Sequence, residues 1–165
     1  MPVTEIERKV EDALTTLGIA WVRHEHPPVF TVEDTKLHWR DLRATHCKNL
    51  FLRNNKGNRH YLVITKASKA VDLKALTRTL GEDRLSFGSP ERLQRCLGLE
   101  PGSVSPFGLL NNTAKDVRVI VDAELRAAER LGFHPNINTA TLEISRPDLE
   151  RFLAAMGNEV RWLAI

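Results

Sequence analysis

The sequence predicts an α/β protein: a mixed, largely antiparallel sheet covered by short helices, in one compact domain spanning residues 1–165. Three observations lead there. Short runs suited to strands are interleaved with runs at helical spacing, which excludes an all-α or all-β architecture. Two strand runs are joined by Asn54-Asn55-Lys56-Gly57-Asn58, a hairpin turn, so part of the sheet is antiparallel. The helical runs are brief, which fits a mixed sheet better than a doubly wound parallel one.

Thr4-x-x-Glu7 reads as a capping box, followed by Ile6, Val10, Ala13, Leu14 and Leu17 on one helical stripe and Gly18 as the stop. Residues 19–23 form a short strand, and His26-Pro27-Pro28 breaks regular structure. A short helix is expected from Thr31 to about Trp39, with Asp34 as its capping partner. Residues 47–53 and 61–65 are the hairpin strands. Asp72 caps a helix carrying Leu73, Leu76 and Leu80 that closes at Gly81. Ser89-Pro90 opens another, with Leu93 and Leu97, ending at Gly98. The pattern then predicts a strand over 117–121, a helix over 122–131 and a strand over 138–144. Ser145-x-x-Asp148 caps a last helix carrying Leu149, Phe152, Leu153 and Met156, stopped by Gly157. A terminal strand is expected over 160–163. No internal repeat, low-complexity tract or linker divides the chain.

A length of 165 residues, 42% hydrophobic and 27% charged, suits one domain with a real core. Lys and Arg number 24 against 21 Asp and Glu, so the net charge is only +3. That permits a polyanionic partner without demanding one, because a local patch matters more than the total. Cys47 and Cys96 form neither a metal-type pair nor a disulfide framework, which points to buried free thiols and a reducing, cytoplasmic compartment. The N-terminus lacks the apolar run of a signal peptide, and no stretch reaches the roughly 20 apolar residues of a membrane span.

Three separated segments carry residues their surroundings do not explain. On a strand over 47–53, Lys48 shares a face with Leu50 and Leu52, while Asn49 and Arg53 point the other way. A lysine there either snorkels at the sheet edge or aims at an anion, and the strand alone leaves both open. In Gly102-Ser103-Val104-Ser105-Pro106-Phe107-Gly108 the glycine lets a ligand approach the backbone, Ser103 and Ser105 supply hydroxyls, and Pro106 stiffens the exit. Such a turn can present N–H groups to a phosphate or an oxyanion, or it can simply connect two elements. In Phe133-His134-Pro135-Asn136-Ile137-Asn138-Thr139 the proline favours an extended backbone at His134, whose ring either projects into a cleft or closes the turn. His24 and His26 flank Glu25, but a His-x-His pair alone is a poor metal site; neither metal nor cofactor is expected. No nucleophile elbow, Walker loop or dinucleotide fingerprint is present, which disfavours a serine or cysteine nucleophile.

Taken in order, these stretches resemble the freestanding aminoacyl-tRNA deacylase (trans-editing) family related to the editing domain of bacterial prolyl-tRNA synthetases. The resemblance rests on His26-Pro27-Pro28-Val29-Phe30-Thr31-Val32-Glu33, Lys48-Asn49-Leu50-Phe51-Leu52, Val71-Asp72-Leu73-Lys74, the segment from Gly102 to Leu109, Phe133-His134-Pro135 and Asn138-Thr139-Ala140-Thr141. Phe107-Gly108-Leu109 and Phe133-His134-Pro135 look most like the branch acting on alanine mischarged onto proline tRNA. The resemblance implies hydrolysis of the ester between an amino acid and the tRNA 3′ adenosine, with tRNA as substrate and prolyl-tRNA synthetase as a candidate partner. It implies Lys48, Gly102 and His134 as the catalytic set, and Trp21, Phe30, Val32, Asn49, Ser103, Ser105 and Pro106 at the substrate. Arg53 joins a basic cluster with Arg40, Arg43 and Lys48 before Lys56 and Arg59 at the hairpin turn, a candidate contact for phosphates or a solvated surface. Cysteine in place of alanine, or a silent tRNA- or synthetase-binding module, are the competing expectations.

Overall fold

The longest strand, β2 (Thr45–Asn54), organises the molecule. The computed structural model describes residues 3–28 and 44–165; the helix expected over 31–39, together with Phe30, Val32, Arg40 and Arg43, lies outside the described residues. Chain order is α1 (Glu5–Thr16), β1 (Val22–Glu25), β2, β3 (His60–Lys66), α2 (Leu73–Leu80), β4 (Leu85–Phe87), α3 (Pro90–Leu97), β5 (Val117–Asp122), β6 (Arg130–Phe133), β7 (Ala140–Ser145), α4 (Arg146–Met156) and β8 (Val160–Leu163). The sheet runs β1-β7-β6-β2-β3-β5-β8, with β4 joined to β2. Pairs β1·β7, β2·β3, β2·β4 and β6·β7 are antiparallel; β2·β6, β3·β5 and β5·β8 are parallel.

Strand alternation sorts side chains onto two faces. On one, Cys47, Phe51, Leu62, Ile64, Val119, Leu131, Phe133, Leu142 and Ile144 meet Val10 and Leu14 of α1, Leu93 and Leu97 of α3, and Leu149, Phe152 and Leu153 of α4. On the other, Leu52, Tyr61, Val63, Ile120 and Leu85 form a smaller cluster under Leu76 of α2. Burial of these side chains, each stabilising by about 1.5–3 kcal/mol, fixes the strand order.

Caps read from sequence are present. Oγ of Thr4, Ser89 and Ser145 accept from the backbone N–H of Glu7, Arg92 and Asp148, and Asp72 accepts from Lys74 and Ala75. Three expectations need correction. Ile6 is 55% exposed rather than in the stripe of α1, and the Glu7 carboxylate pairs with Arg23 instead of completing the capping box. The first strand begins at Val22, because Ile19 closes α1 through a bond from its N–H to Leu14 O and is buried in the core. Residues 122–131 are not one helix. Asp122 caps only a short 3₁₀ turn, Ala123–Ala127, and the chain then extends as β6. The reason is tertiary: Leu131, Gly132 and Phe133 are buried between β2 and β7, and the carboxylate of Asp122 is anchored by Thr65 Oγ1 and Lys69 Nζ, each at 2.8 Å. Strand β4 and a 3₁₀ turn over Pro106–Asn111 have no counterpart in the sequence reading.

Candidate active site

Pairing along β2 leaves a gap. On its β3 side, residues 47–53 are paired without interruption. On the opposite side β6 covers only Thr45 and His46, and β4 only Leu52, Arg53 and Asn54. Among the described residues no strand pairs with 47–51 there, so the sheet is split beside Lys48 and Asn49.

Lys48 faces the side of Leu50 and Leu52, directly across from Thr65 of β3. Thr65 is fully buried and donates to Asp122, which also holds Lys69. The Lys48 ammonium is half-buried, and burial alone pulls its pKa below the ordinary lysine value. Among the described residues it forms no ion pair. A desolvated cation without a carboxylate is costly, and an anionic or electron-rich ligand offsets that cost. Asn49 occupies the other face, where its Oδ1 is buried without a hydrogen-bond partner among the described residues. The two neighbours therefore lie on opposite faces of β2 beside the gap.

His134 arrives from β6. The parallel register sets Thr45 against Leu131 and His46 against Gly132, and His134 follows directly on the end of β6 at Phe133. Its Nδ1 donates to Ala140 O at 3.0 Å, closing the 135–139 loop as the sequence allowed. Because a carbonyl only accepts, Nδ1 carries the hydrogen and Nε2 the lone pair. Burial, with a smaller push from His26, lowers its pKa, so the ring is neutral at neutral pH. Asn136, at φ 64° and buried, turns the loop.

Sequence reasoning used His26 in the family-like stretch but gave it no place in the site. Its backbone N–H donates to Thr139 O at 3.0 Å, its Nδ1 to Pro27 O at 2.8 Å, and its Nε2 sits 2.8 Å from Thr141 Oγ1. The ring lies 5.9 Å from that of His134, edge to face. The signal was available in the His26-Pro27-Pro28 and Thr139-Ala140-Thr141 stretches, but only β1·β7 pairing joins them.

The 102–106 loop leads into the 3₁₀ turn that packs on β6. Gly102 has φ 90°, open to glycine and strained for other residues. Ser103 N–H donates to Glu100 O at 3.1 Å, and Ser103 is buried. Ser105 is fully buried and its Oγ caps the 3₁₀ turn by accepting from Phe107 N at 3.0 Å, with Pro106 next. Phe107 packs edge-on to Phe133, 6.0 Å between centroids, which ties the loop to the strand whose next residue is His134. Trp21 is half-buried against the larger core. Arg53 is placed apart: its guanidinium bonds to the carbonyls of Asn54 and Asn55 at the hairpin turn. Cys47 is buried and its thiol pKa is pushed up by burial, so it is no nucleophile.

The aminoacyl-tRNA editing domain matches residues 26–152, most of the chain and every segment just described except Trp21. The chain belongs to this family. As an editing domain it is an ester hydrolase, an aminoacyl-tRNA deacylase. It is similar to a prolyl-tRNA editing protein of Acetoanaerobium sticklandii, 41% identical over 145 residues, covering 88% of each chain. It is also similar to a prolyl-tRNA synthetase associated domain-containing protein of Danio rerio, 34% identical over 151 residues, covering 90% of this chain and 82% of the relative. A solved structure described as a candidate trans-editing enzyme for prolyl tRNA synthetase shares the fold, with a TM-score of 0.73 at 22% identity over 99% of each chain. Among the described residues of this editing domain no helix is long and apolar enough to cross a membrane.

Proposed function

We propose that this editing domain acts in trans on proline tRNA mischarged with alanine. The observation that supports the reading is the gap in pairing along β2 beside Lys48 and Asn49, with β6 leading to His134 and Phe107 tying the 102–106 loop to β6. Water adds to the ester carbonyl, the bond to the ribose oxygen breaks, that oxygen takes a proton, and free amino acid leaves. An aminoacyl ester is already activated, so a placed water and a stabilised oxyanion do more than a strong nucleophile.

In this reading Lys48 and Asn49 grip the polar terminus from the two faces of the strand. Backbone N–H groups near Gly102 orient the ester, and a ribose hydroxyl of the substrate helps to activate water. His134, fixed as the Nδ1–H tautomer, borders the amino-acid pocket with Trp21, Phe30 and Val32. A synthetase built for proline cannot strongly exclude alanine, because a few methylenes are worth only about 1–3 kcal/mol; a second pocket that rejects proline by size supplies the rest. Prolyl-tRNA synthetase is the enzyme whose product is corrected.

The test is release of alanine, cysteine and proline from charged proline tRNA, run beside Lys48→Ala. Alanine should be released fastest and Lys48→Ala should slow it. Faster release of cysteine would overturn the alanine assignment, and tRNA binding without turnover would overturn the enzymatic one. Phe30→Ala should relax size selection; an unchanged preference across amino acids would remove Phe30 from the pocket wall.

A further inference from the structure

Beyond the gap, the far end of β2 gathers cations that have no carboxylate. Arg23, Arg59, Arg118, Arg130, Arg146 and Arg151 each hold an acid. Among the described arginines without an acid, Arg53, Arg92 and Arg95 are the ones whose positions meet at His60. Arg92 Nη1 instead donates to Gly57 O at 3.0 Å and to His60 Nε2 at 3.1 Å. Arg53 donates from Nε to Asn54 O at 3.1 Å and from Nη2 to Asn55 O at 2.9 Å. These neutral acceptors orient both guanidiniums without cancelling their charge.

The two heads converge on one point. A Cβ placed on Gly57 would lie 2.8 Å from Arg92 Nη2 and 3.2 Å from Arg53 Nη2, so only a glycine leaves room there, at φ 77°. His60 lies stacked on Phe51, 5.5 Å between centroids and 7° from parallel. Burial and then the charges of Arg92, Arg95 and Arg53 lower its pKa, with Asp116 opposing, so His60 takes the Arg92 hydrogen as a neutral ring. Exposed Lys56 adjoins the turn. The acids in reach are Asp116, facing His60, Glu91 and Glu100, which share a groove with Arg95, and Glu82 and Asp83, which share a groove with Lys56 at the turn, Glu82 being paired with Arg59.

Two planar guanidiniums fixed side by side by carbonyls match the bidentate geometry of phosphate oxygens. Lys48 is five residues away on the same strand, about 16 Å at strand rise, too far for one phosphate to touch both. We propose that Arg53 and Arg92 around Gly57, with Arg95 on the side of His60, form a second site, a clamp for backbone phosphates of the RNA body, separate from the gap that receives the aminoacyl end. This rests on the tRNA reading above and adds to it the place where affinity for the RNA resides.

The experiment uses Arg92→Gln, Arg95→Gln and Lys56→Glu in the full chain. Fluorescence anisotropy with uncharged proline tRNA between 50 and 200 mM salt should show affinity down about three- to tenfold, and the salt slope lower by about one per lost contact. The ratio of kcat/KM on aminoacyl-tRNA to that on 3′-aminoacyl-adenosine should fall by a similar factor, because the small ester has no RNA body. Unchanged affinity and slope in all three variants, or equal losses on both substrates, would overturn the clamp. Lys56→Glu and Arg95→Gln, on exposed side chains, decide the matter should Arg92→Gln fold poorly. The binding arm is independent of turnover: a wild-type protein that binds tRNA through these arginines but releases no amino acid sinks the deacylase reading and leaves the clamp standing.

Discussion

Replacing Lys48 with methionine separates a functional lysine from a structural one. The two side chains are of similar length, and the lysine stem already lies beside Leu50 and Leu52. No carboxylate among the described residues loses a partner when the ammonium goes, and burial already disfavours that charge. Folding stability should therefore hold or rise, since removing a desolvated cation relieves a cost. Activity should move the other way. A hydrogen bond to a charged group contributes about 1.5–3 kcal/mol, which is about 10- to 150-fold in rate if it is made only in the transition state. Single-turnover deacylation of alanyl-tRNA at saturating enzyme reads the rate, and urea denaturation reads the stability. A Lys48→Met protein at full rate, or one whose activity loss is matched by a stability loss of several kcal/mol, would refute the reasoning.

Gly102→Ala forces an L side chain onto φ 90° and should cost about 1 kcal/mol or more; urea melts check this, and kcat should fall more than KM changes if the loop orients the ester. Asn54 Oδ1 accepts from the N–H groups of Gly57, Asn58 and Arg59, so Asn54→Ala should destabilise by about 2–3 kcal/mol and weaken tRNA binding along with the turn, read by melts and anisotropy. His134 is held neutral with its pKa below the ordinary histidine value. Below about pH 6.5 the unfolded chain binds a proton that the native ring resists, so stability is full above that pH and falls on acidification. His134→Asn should flatten this loss between pH 7.5 and 5.5 in denaturation curves; an unchanged slope would place the sensitivity on another group, such as His60.

Much of the fold was legible locally. Thr4, Asp72, Ser89 and Ser145 announce helix starts because their side chains satisfy N–H groups within three residues, and each does so in the structure. The terminal strand over 160–163 and the hairpin around Asn54–Gly57 rest on equally short-range chemistry. Residues 122–131 misled because Asp122 caps whatever follows, while the extended path of Leu131–Phe133 is imposed by distant strands β2 and β7. Arg53 was read in a basic cluster with Lys48 because they share a strand; the turn carbonyls that hold it belong to the opposite end of that strand.

The amino-acid order alone determined the family, the catalytic candidates and the mixed sheet, since motifs, caps and alternation are written within a few residues. Tertiary structure decided which distant residues lie side by side. The break between β6 and β4 beside Lys48, the approach of His26 to His134, and the convergence of Arg53 with Arg92 each join residues far apart in sequence. Such meetings follow from which strands pair, and strand order is set by burying two apolar faces at once, a condition on the whole chain that no local stretch encodes.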